Sequence, residues 1–318
     1  MSPFLCQEKC DEIVTCQIRG DFVKSIPVKP VFLIFAWAVL TASISYSTDI
    51  SALEAKAKQG DAGAQFDLAR ACLKGGDGVK KDAMRSFELM ISAANQGHAE
   101  AMGGVGFFYA NGIAVQKDAA KAVEWFRKGA EAGGSKAQLN LGKMLAEGMG
   151  TEKNEAEGIK WIKAAADQGQ PDAAYALGEI YYFGDYGKTV DYAAAYPYLL
   201  KAAEAGHPNA QNTVGVLLEN GQGVGMNASK AEEWYKKSAH QGHVKAMANL
   251  GRIIGPESLD QMKRVESLAW LLAASNKGEI TATKLIEEVQ PGLTQDDLAQ
   301  ARKLADDLEK TLRAASAK

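Results

Sequence analysis

The chain has 318 residues, of which 47% are hydrophobic and 24% charged, and its formal net charge is −3. This composition is ordinary for a globular or repeat protein. The slight acidic excess and the absence of any Lys/Arg run argue against a nucleic-acid binder and against an electrostatic membrane-binding surface.

The first element in the chain is an apolar run over residues 31–44, VFLIFAWAVLTASI. It is shorter than the roughly 20 residues that a membrane span needs. Lys24 and Lys29 precede it and small residues follow it, which is typical of a secretory signal peptide. We therefore predict that residues 1–47 form a signal region, cleaved near Ser43–Ser47, and that the protein is periplasmic or secreted without stable membrane insertion. The alternative is a membrane-anchored protein that retains this run.

The segment before the apolar run is atypical of a signal peptide because it carries Glu8, Asp11 and Glu12. A translation start at Val23, through a non-Met codon, would give a more regular signal and remains an open alternative. Three of the four cysteines, Cys6, Cys10 and Cys16, would leave with this region, and only Cys72 would remain. No disulfide framework is then expected, so packing has to stabilise the fold.

A repeat becomes visible beyond residue 50, where glycines recur at intervals of 36 or 37 residues: Gly60, Gly97, Gly133, Gly169, Gly206, Gly242 and Gly278. After each of the first six, a helix is predicted with a small residue, an apolar residue followed by glycine or alanine, and a larger side chain at spacings of three and four. In the third copy these are Ala137, Leu141, Gly142 and Leu145. Such spacing places them on one helical face.

A second helix is predicted after a turn in each copy. Its start is marked by a residue that can cap free backbone N–H groups, in the series Asp82, Asp118, Asn154, Asp191 and Asn227. Seven residues later comes a large side chain, and the series is Leu89, Trp125, Trp161, Tyr198, Trp234 and Trp270. We predict that the tryptophans are core residues that pack against small partners. The glycine that follows then ends the helix.

These motifs resemble the Sel-like repeat (SLR) family, which is related to tetratricopeptide repeats. The pattern is A-x3-[LV]-G-x2-Y, a glycine, and D-x2-K-A-x2-W-x4-A-x2-G, and residues 117–133, KDAAKAVEWFRKGAEAG, are close to it. The resemblance implies an all-α fold: a right-handed superhelical solenoid of antiparallel helix pairs, with about six repeats over residues 48–278 and a C-terminal capping helix within residues 279–318. Thr294 and Asp297 are predicted to begin that helix.

Three features depart from the pattern. Pro197 lies inside the second helix of the fourth copy and should kink it, and Gly255-Pro256 should shorten the first helix of the sixth copy. The fourth copy also carries an extra turn residue.

No catalytic or metal-binding set is apparent in the sequence. His98, His207 and His243 each follow a boundary glycine and so occupy the same position in different repeats, where they are predicted to cap turns. They cannot converge on one ion, since His98 and His207 are three repeats apart. No Ser-x-x-Lys motif and no phosphate-binding glycine loop is present. We therefore predict no cofactor, no metal and no enzymatic activity.

By analogy with tetratricopeptide arrays, the first helices should line a concave face that binds a protein partner of unknown identity. Tyr175, Glu179 and Tyr182 lie at i, i+4 and i+7 on one side of a helix, and tyrosines often anchor interfaces. The predicted partner-binding residues are Tyr175, Glu179, Tyr182, Asn209, Asn212, Glu219, Lys143 and Arg252. The expected function is an exported protein–protein interaction scaffold. Two alternatives stay open: a protein that binds or hydrolyses cell-wall fragments or β-lactams, and a membrane-tethered adaptor.

Overall fold

A computed structural model describes residues 50–76, 78–255 and 258–316. The predicted signal region, with its apolar run and three cysteines, lies outside these residues. Apart from an isolated β-bridge between Gly76 and Val79, the regular structure of the described residues is helical. No described helix is both long enough and apolar enough to span a membrane.

Six helix pairs follow α1, which is helical over residues 50–58. They are α2 (Ala62–Lys74) with α3 (Ala83–Asn95), α4 (Ala99–Asn111) with α5 (Ala119–Glu131), α6 (Ser135–Glu147) with α7 (Glu155–Asp167), α8 (Pro171–Phe183) with α9 (Tyr192–Glu204), α10 (Pro208–Asn220) with α11 (Ala228–His240), and α12 (Val244–Ile254) with α13 (Gln261–Asn276). We number these pairs repeats 1 to 6 and call the first helix of each pair the A helix and the second the B helix.

From α2 to α14, each helix packs against the next one along the chain, so these residues form a stack of antiparallel pairs. The predicted all-α solenoid of helix pairs is confirmed. The predicted C-terminal capping helix is α15 (Gln295–Ser316), and a shorter helix, α14 (Ile280–Val289), precedes it; both contact α13. Thr294 and Asp297 begin α15 as predicted, since each side chain accepts a hydrogen bond from the other residue's backbone N–H.

In repeats 2 to 6, the seam inside the pair places a glycine of the A helix against a large side chain of the B helix. A Cβ atom added to Gly106 would lie 2.7 Å from a ring carbon of Phe126, and one added to Gly142 would lie 2.6 Å from Ile162 Cγ1. The same contact recurs in repeats 4, 5 and 6 through Gly178 with Leu199, Gly215 with Tyr235, and Gly251 with Leu271. We call this series of contacts the glycine seam; it brings the two helices of a pair close together.

The prediction that the tryptophans fill the core is wrong for three of the four. Trp125, Trp161 and Trp234 are only partly buried. The residue after each one is buried instead, with at most 2% of its surface exposed: Phe126, Ile162 and Tyr235. Of the four, only Trp270 is buried, at 2% exposure. Because one residue corresponds to 100° around a helix, a one-position error moves a side chain from the centre of a face to its flank.

The predicted helix starts and stops are confirmed. All seven boundary glycines have φ between 86° and 94°, a left-handed conformation that glycine adopts without steric cost. Asp82, Asp118, Asn154, Asp191 and Asn227 each accept a hydrogen bond from the backbone N–H three residues later. Helix α12 has 11 residues where the A helices of repeats 1 to 5 have 13, as Gly255-Pro256 predicted. Helix α9, in contrast, runs through Pro197.

A second, longer period links the odd-numbered repeats. In repeats 1, 3 and 5 a glutamine just after the B helix donates a hydrogen bond to a buried glutamine of the A helix, with N–O distances of 2.7–2.8 Å. The pairs are Gln96 with Gln65, Gln168 with Gln138, and Gln241 with Gln211. The even-numbered repeats have Met102, Ala174 and Met247 at the A-helix position. The packing unit of this array is therefore two repeats long at this level of detail.

Candidate functional site

Two cavities open along the A helices of repeats 3 to 6, and they meet at Tyr175 and Glu179 of α8. The first, of about 530 Å³, lies between α6 and α8 and extends to the turn after α8. The second, of about 770 Å³, is lined by α8, α10 and the starts of α12 and α14. We call them the acidic cavity and the wide cavity, and together they form the A-helix groove.

Tyr175 forms the ridge between the two cavities. Its hydroxyl donates a hydrogen bond to Glu179 Oε1 at 2.6 Å, one helical turn further along α8. Its ring stacks on the imidazole of His207, with centroids 4.2 Å apart. Burial, followed by the hydrogen bond to Glu179, raises the pKa of Tyr175, so the phenol stays protonated and keeps its donor. The ridge is therefore fixed on two sides.

His207 supports the ridge from the start of α10. Its Nδ1 accepts a hydrogen bond from the Ala210 backbone N–H at 3.2 Å, which caps the helix. Burial lowers the pKa of His207, although Asp172, at 3.6 Å from Nε2, opposes this effect. The predicted capping role of the boundary histidines is confirmed, since His98 and His243 make the same contact at 3.2 and 3.1 Å.

Tyr182 lies in the wall of the wide cavity, held edge-on against Tyr192 at a centroid distance of 5.2 Å. Phe183, its neighbour at the end of α8, is 59% exposed and lines the same cavity. The sequence interpretation missed Phe183. A signal was present, since the residue before the glycine that ends the A helix is polar in the other regular copies: Asn111, Glu147 and Asn220.

Asn209 and Asn212 also line the wide cavity. The side chain of Asn209 opposes part of the rise in the pKa of Tyr175 that burial and Glu179 cause. Asn212 accepts a hydrogen bond at 3.0 Å from the amide of Asn249 in the next A helix. The hydrogen bond of Asn212 therefore connects two neighbouring A helices beside the wide cavity.

Glu219 and Arg252 are not among the residues that line either cavity. Their side chains form a bidentate ion pair with two N–O distances of 2.7 Å, and the hydroxyl of the fully buried Tyr235 donates to Glu219 at 2.8 Å. The Arg252 guanidinium, with Tyr235, lowers the pKa of Glu219 despite its partial burial. This pair braces α10 against α12, and its role in partner binding stays a prediction.

Lys143 lines the acidic cavity together with four carboxylates: Glu147, Asp172, Glu179 and Asp185. Tyr186, in the turn after α8, forms another wall, and its hydroxyl lies 3.4 Å from Glu147 Oε1 across the cavity mouth. Tyr186 adopts φ of 51°, which is uncommon for a residue other than glycine. The extra turn residue of repeat 4, visible in the sequence, is thus where the chain reaches back towards α6.

Metal-binding groups and free thiols are the other features of the described residues that could support chemistry. In the part of the chain that the structure describes, no group of three His, Cys, Asp or Glu side chains is placed to hold a metal ion. Cys72 is a buried free thiol, and burial raises its pKa.

Comparison with known proteins identifies the repeat. The Sel1 repeat model matches five consecutive segments, residues 62–98, 99–134, 135–170, 171–207 and 208–243, which together cover more than half of the chain. The chain belongs to the Sel1 repeat family. Repeat 6 lies beyond the matched segments but has the same glycine seam, between Gly251 and Leu271. Sel1 repeat proteins are generally protein-interaction scaffolds and are typically non-catalytic.

Several solved structures resemble the chain over most of its length. A Sel1 repeat protein from Oxalobacter formigenes is 30% identical, with a TM-score of 0.61 over 69% of this chain and 89% of that one. An immunity protein from Pseudomonas aeruginosa is 23% identical, with a TM-score of 0.45 over 73% of this chain and 84% of that one. A protective antigen with an SLR fold from uropathogenic Escherichia coli is 22% identical, with a TM-score of 0.37 over 84% and 73% respectively. Among curated proteins, no relative matches the chain.

Proposed function

We propose that this Sel1 array is an exported, non-catalytic scaffold that binds a segment of a partner protein in the A-helix groove. The observation that carries the proposal is the Tyr175 ridge, a half-buried aromatic side chain fixed by Glu179 and His207 between two open cavities. A ring that is already ordered loses little conformational entropy when it is covered by a partner.

The chemistry of the groove supports a protein ligand. Tyr182 and Phe183 offer aromatic surface next to the amides of Asn209 and Asn212. Interface centres are enriched in aromatic residues, and side-chain amides can hydrogen-bond the backbone of a peptide in an extended conformation. The groove crosses several A helices, so an extended segment would contact more than one repeat.

Export is supported by the sequence alone. The apolar run at residues 31–44 follows two lysines and precedes small residues, and it lies outside the described part of the chain. N-terminal sequencing of the protein recovered from the producing cell tests this part, with cleavage expected near Ser43–Ser47. A soluble product that still begins before Val31 would contradict export and leave the binding proposal untouched.

Site-specific photo-crosslinking in the producing cell tests the binding proposal. A benzophenone amino acid in place of Phe183 would lie in the wide cavity, and the same amino acid in place of Met84 would lie in α3, on a B helix far from the groove. Both native side chains are exposed, at 59% and 53%. We expect a discrete crosslinked protein from position 183 and none from position 84.

A tyrosine variant and its matched control separate binding from folding. Tyr175→Ala should reduce the yield of the position-183 crosslink about thirtyfold, which corresponds to ~2 kcal/mol for an interface anchor. Tyr109→Ala removes a half-buried tyrosine from α4, outside the groove, and should leave the crosslink intact. Equal losses in both variants, at a temperature where both are folded, would contradict an interface at Tyr175.

A further inference from the structure

The A-helix groove carries opposite charges at its two ends. The acidic cavity, at the α6–α8 end, is lined by four carboxylates and one lysine, which gives a formal charge of −4 + 1 = −3 with His207 neutral. Burial lowers the pKa of His207, so the imidazole does not offset this charge near neutral pH. The wide cavity ends at Lys245, at the start of α12, and at Lys277 and Glu279, just before α14, with a formal charge of 2 − 1 = +1 when Glu179 is counted in the acidic cavity.

Within the described residues, several of these charged groups have no ion-pair partner. Glu147, Asp185, Lys245 and Lys277 take part in no ion pair within 50–76, 78–255 and 258–316. Glu279, the acidic residue nearest in sequence to Lys277, uses Oε1 to accept hydrogen bonds from the Thr281 backbone and hydroxyl at 3.3 and 2.8 Å. The groove therefore carries a formal charge of −3 at the acidic end and of +1 at the far end, where Glu279 offsets one of the two lysines.

The acidic cavity also has the walls that suit a cationic side chain. Tyr175 and Tyr186 contribute aromatic surface beside the carboxylates. Aromatic faces attract guanidinium and ammonium groups, and a carboxylate can bind a guanidinium through two parallel hydrogen bonds. A volume of about 530 Å³ accommodates a lysine or arginine side chain together with some of its backbone.

We propose that the groove binds an extended peptide segment with a basic side chain in the acidic cavity and, further along, an acidic side chain or a C-terminal carboxylate between Lys245 and Lys277. This inference rests on the proposed function and specifies the chemistry of the partner segment. The two ends are about three A-helix spacings apart, or roughly 24–30 Å. An extended chain covers that distance in about eight or nine residues. The charge order also fixes the direction in which the segment lies across the repeats.

Selection of peptides from a random dodecapeptide library, displayed on phage and applied to the immobilised full chain, tests the proposal. We expect the enriched sequences to share a Lys or Arg separated by about eight or nine residues from an Asp, a Glu or the C-terminus. A synthetic version of the strongest peptide then serves as the probe for fluorescence anisotropy measurements on charge-reversal variants.

The variants assign each end of the peptide to its end of the groove. Glu147→Lys with Asp185→Lys should weaken the probe at least tenfold and should be rescued by a probe whose basic residue is changed to Glu. Lys245→Glu with Lys277→Glu should also weaken binding of the original probe at least tenfold. A probe whose acidic residue is changed to Lys should restore binding to this variant. Glu124→Lys with Glu233→Lys, on exposed positions of the B helices α5 and α11, is the matched control and should leave binding unchanged.

The outcomes separate this inference from the proposed function. Enriched peptides that compete at the Phe183 crosslinking position but show no charge order, or charge reversals without rescue, would overturn the charge-ordered groove alone. A library that yields no groove-binding peptide would count against both. Both the charge-ordered groove and the proposed function would be supported if each charge-reversal variant preferred the probe whose charge is reversed at the same end.

Discussion

The same A helices present two faces that behave oppositely from repeat to repeat. On the face towards the B helix, the glycine seam recurs in repeats 2 to 6. On the groove face, the position of Tyr175 is occupied in order by Phe66, Gly103, Leu139, Tyr175, Asn212 and Ala248, and that of Glu179 by Arg70, Phe107, Lys143, Glu179, Val216 and Arg252. The face towards the B helix is uniform because the A helix of each of these repeats packs against its B helix in the same way. The other is free to vary, and its variation gives repeats 3 to 6 their aromatic ridge and their charge order.

The largest expected effect comes from truncating the seam. Phe126→Ala should cost about 3–5 kcal/mol of unfolding free energy, because the ring is 2% exposed and packs against Gly106. Trp125→Ala, one residue earlier on the flank, should cost clearly less, although its side chain is larger. Urea unfolding monitored by circular dichroism measures both. A greater loss from the tryptophan change would mean that the flank, rather than the seam, stabilises the pair.

Adding a methyl group to the seam should have the next largest effect. In Gly142→Ala the new Cβ would lie 2.7 Å from the backbone oxygen of Gly158, which cannot rotate away, so a loss of about 1–3 kcal/mol is expected. Gly104→Ala is the control, because its Cβ would meet the flexible end of Met90 at 2.6 Å. Higher helix propensity should leave that variant near neutral. Thermal melts compare the two, and equal losses would show that the seam has no special tightness.

A smaller effect on stability is expected from pH, through two histidines that cap the starts of α10 and α12. Burial lowers the pKa values of His207 and His243 below their ordinary value of 6.5. The unfolded chain then binds more protons than the folded one in this window, so their contribution to stability is complete above pH 6.5 and is lost as pH falls through the folded pKa values. His207→Gln with His243→Gln should flatten the slope of Tm against pH between about 5 and 7.

The glutamine variant keeps the helix caps, which makes it a fair comparison. Gln170 already occupies the same position in repeat 4 and caps α8 by accepting from the Ala173 N–H at 2.7 Å. An identical pH slope in wild type and double variant would show that these histidines do not contribute to acid sensitivity.

The smallest expected effect is from removing metal ions or reducing thiols, since both faces should be stable without either. Melts of the protein with and without a chelator, and with and without a reductant, are expected to overlay. A shift of several degrees with chelator would indicate a metal-dependent element, and one with reductant a disulfide.

Much of the fold was predictable because its signals are local. Glycine at a left-handed position and a capping residue before a helix act within a few residues of chain, so their 36- to 37-residue period gave the helix pairs and their boundaries. The family resemblance drawn from the same residues is confirmed. Tyr175, Glu179 and Tyr182 share a face for the same local reason, and the structure places all three in the groove.

What the sequence did not determine depends on contacts between distant residues. The core position beside Trp125, Trp161 and Trp234 was misassigned by one residue, because only the packed partner helix shows which side of a face is its centre. Tyr186 donates a hydrogen bond to Glu147, which is 39 residues away in the chain. Lys277, just before the helix that follows the last repeat, lines the same cavity as Lys245. Glu219 and Arg252 were predicted to bind a partner, whereas the tertiary structure pairs them with each other across 33 residues. The period of the sequence sets which helices form, whereas the stacking of repeats decides which side chains meet between them.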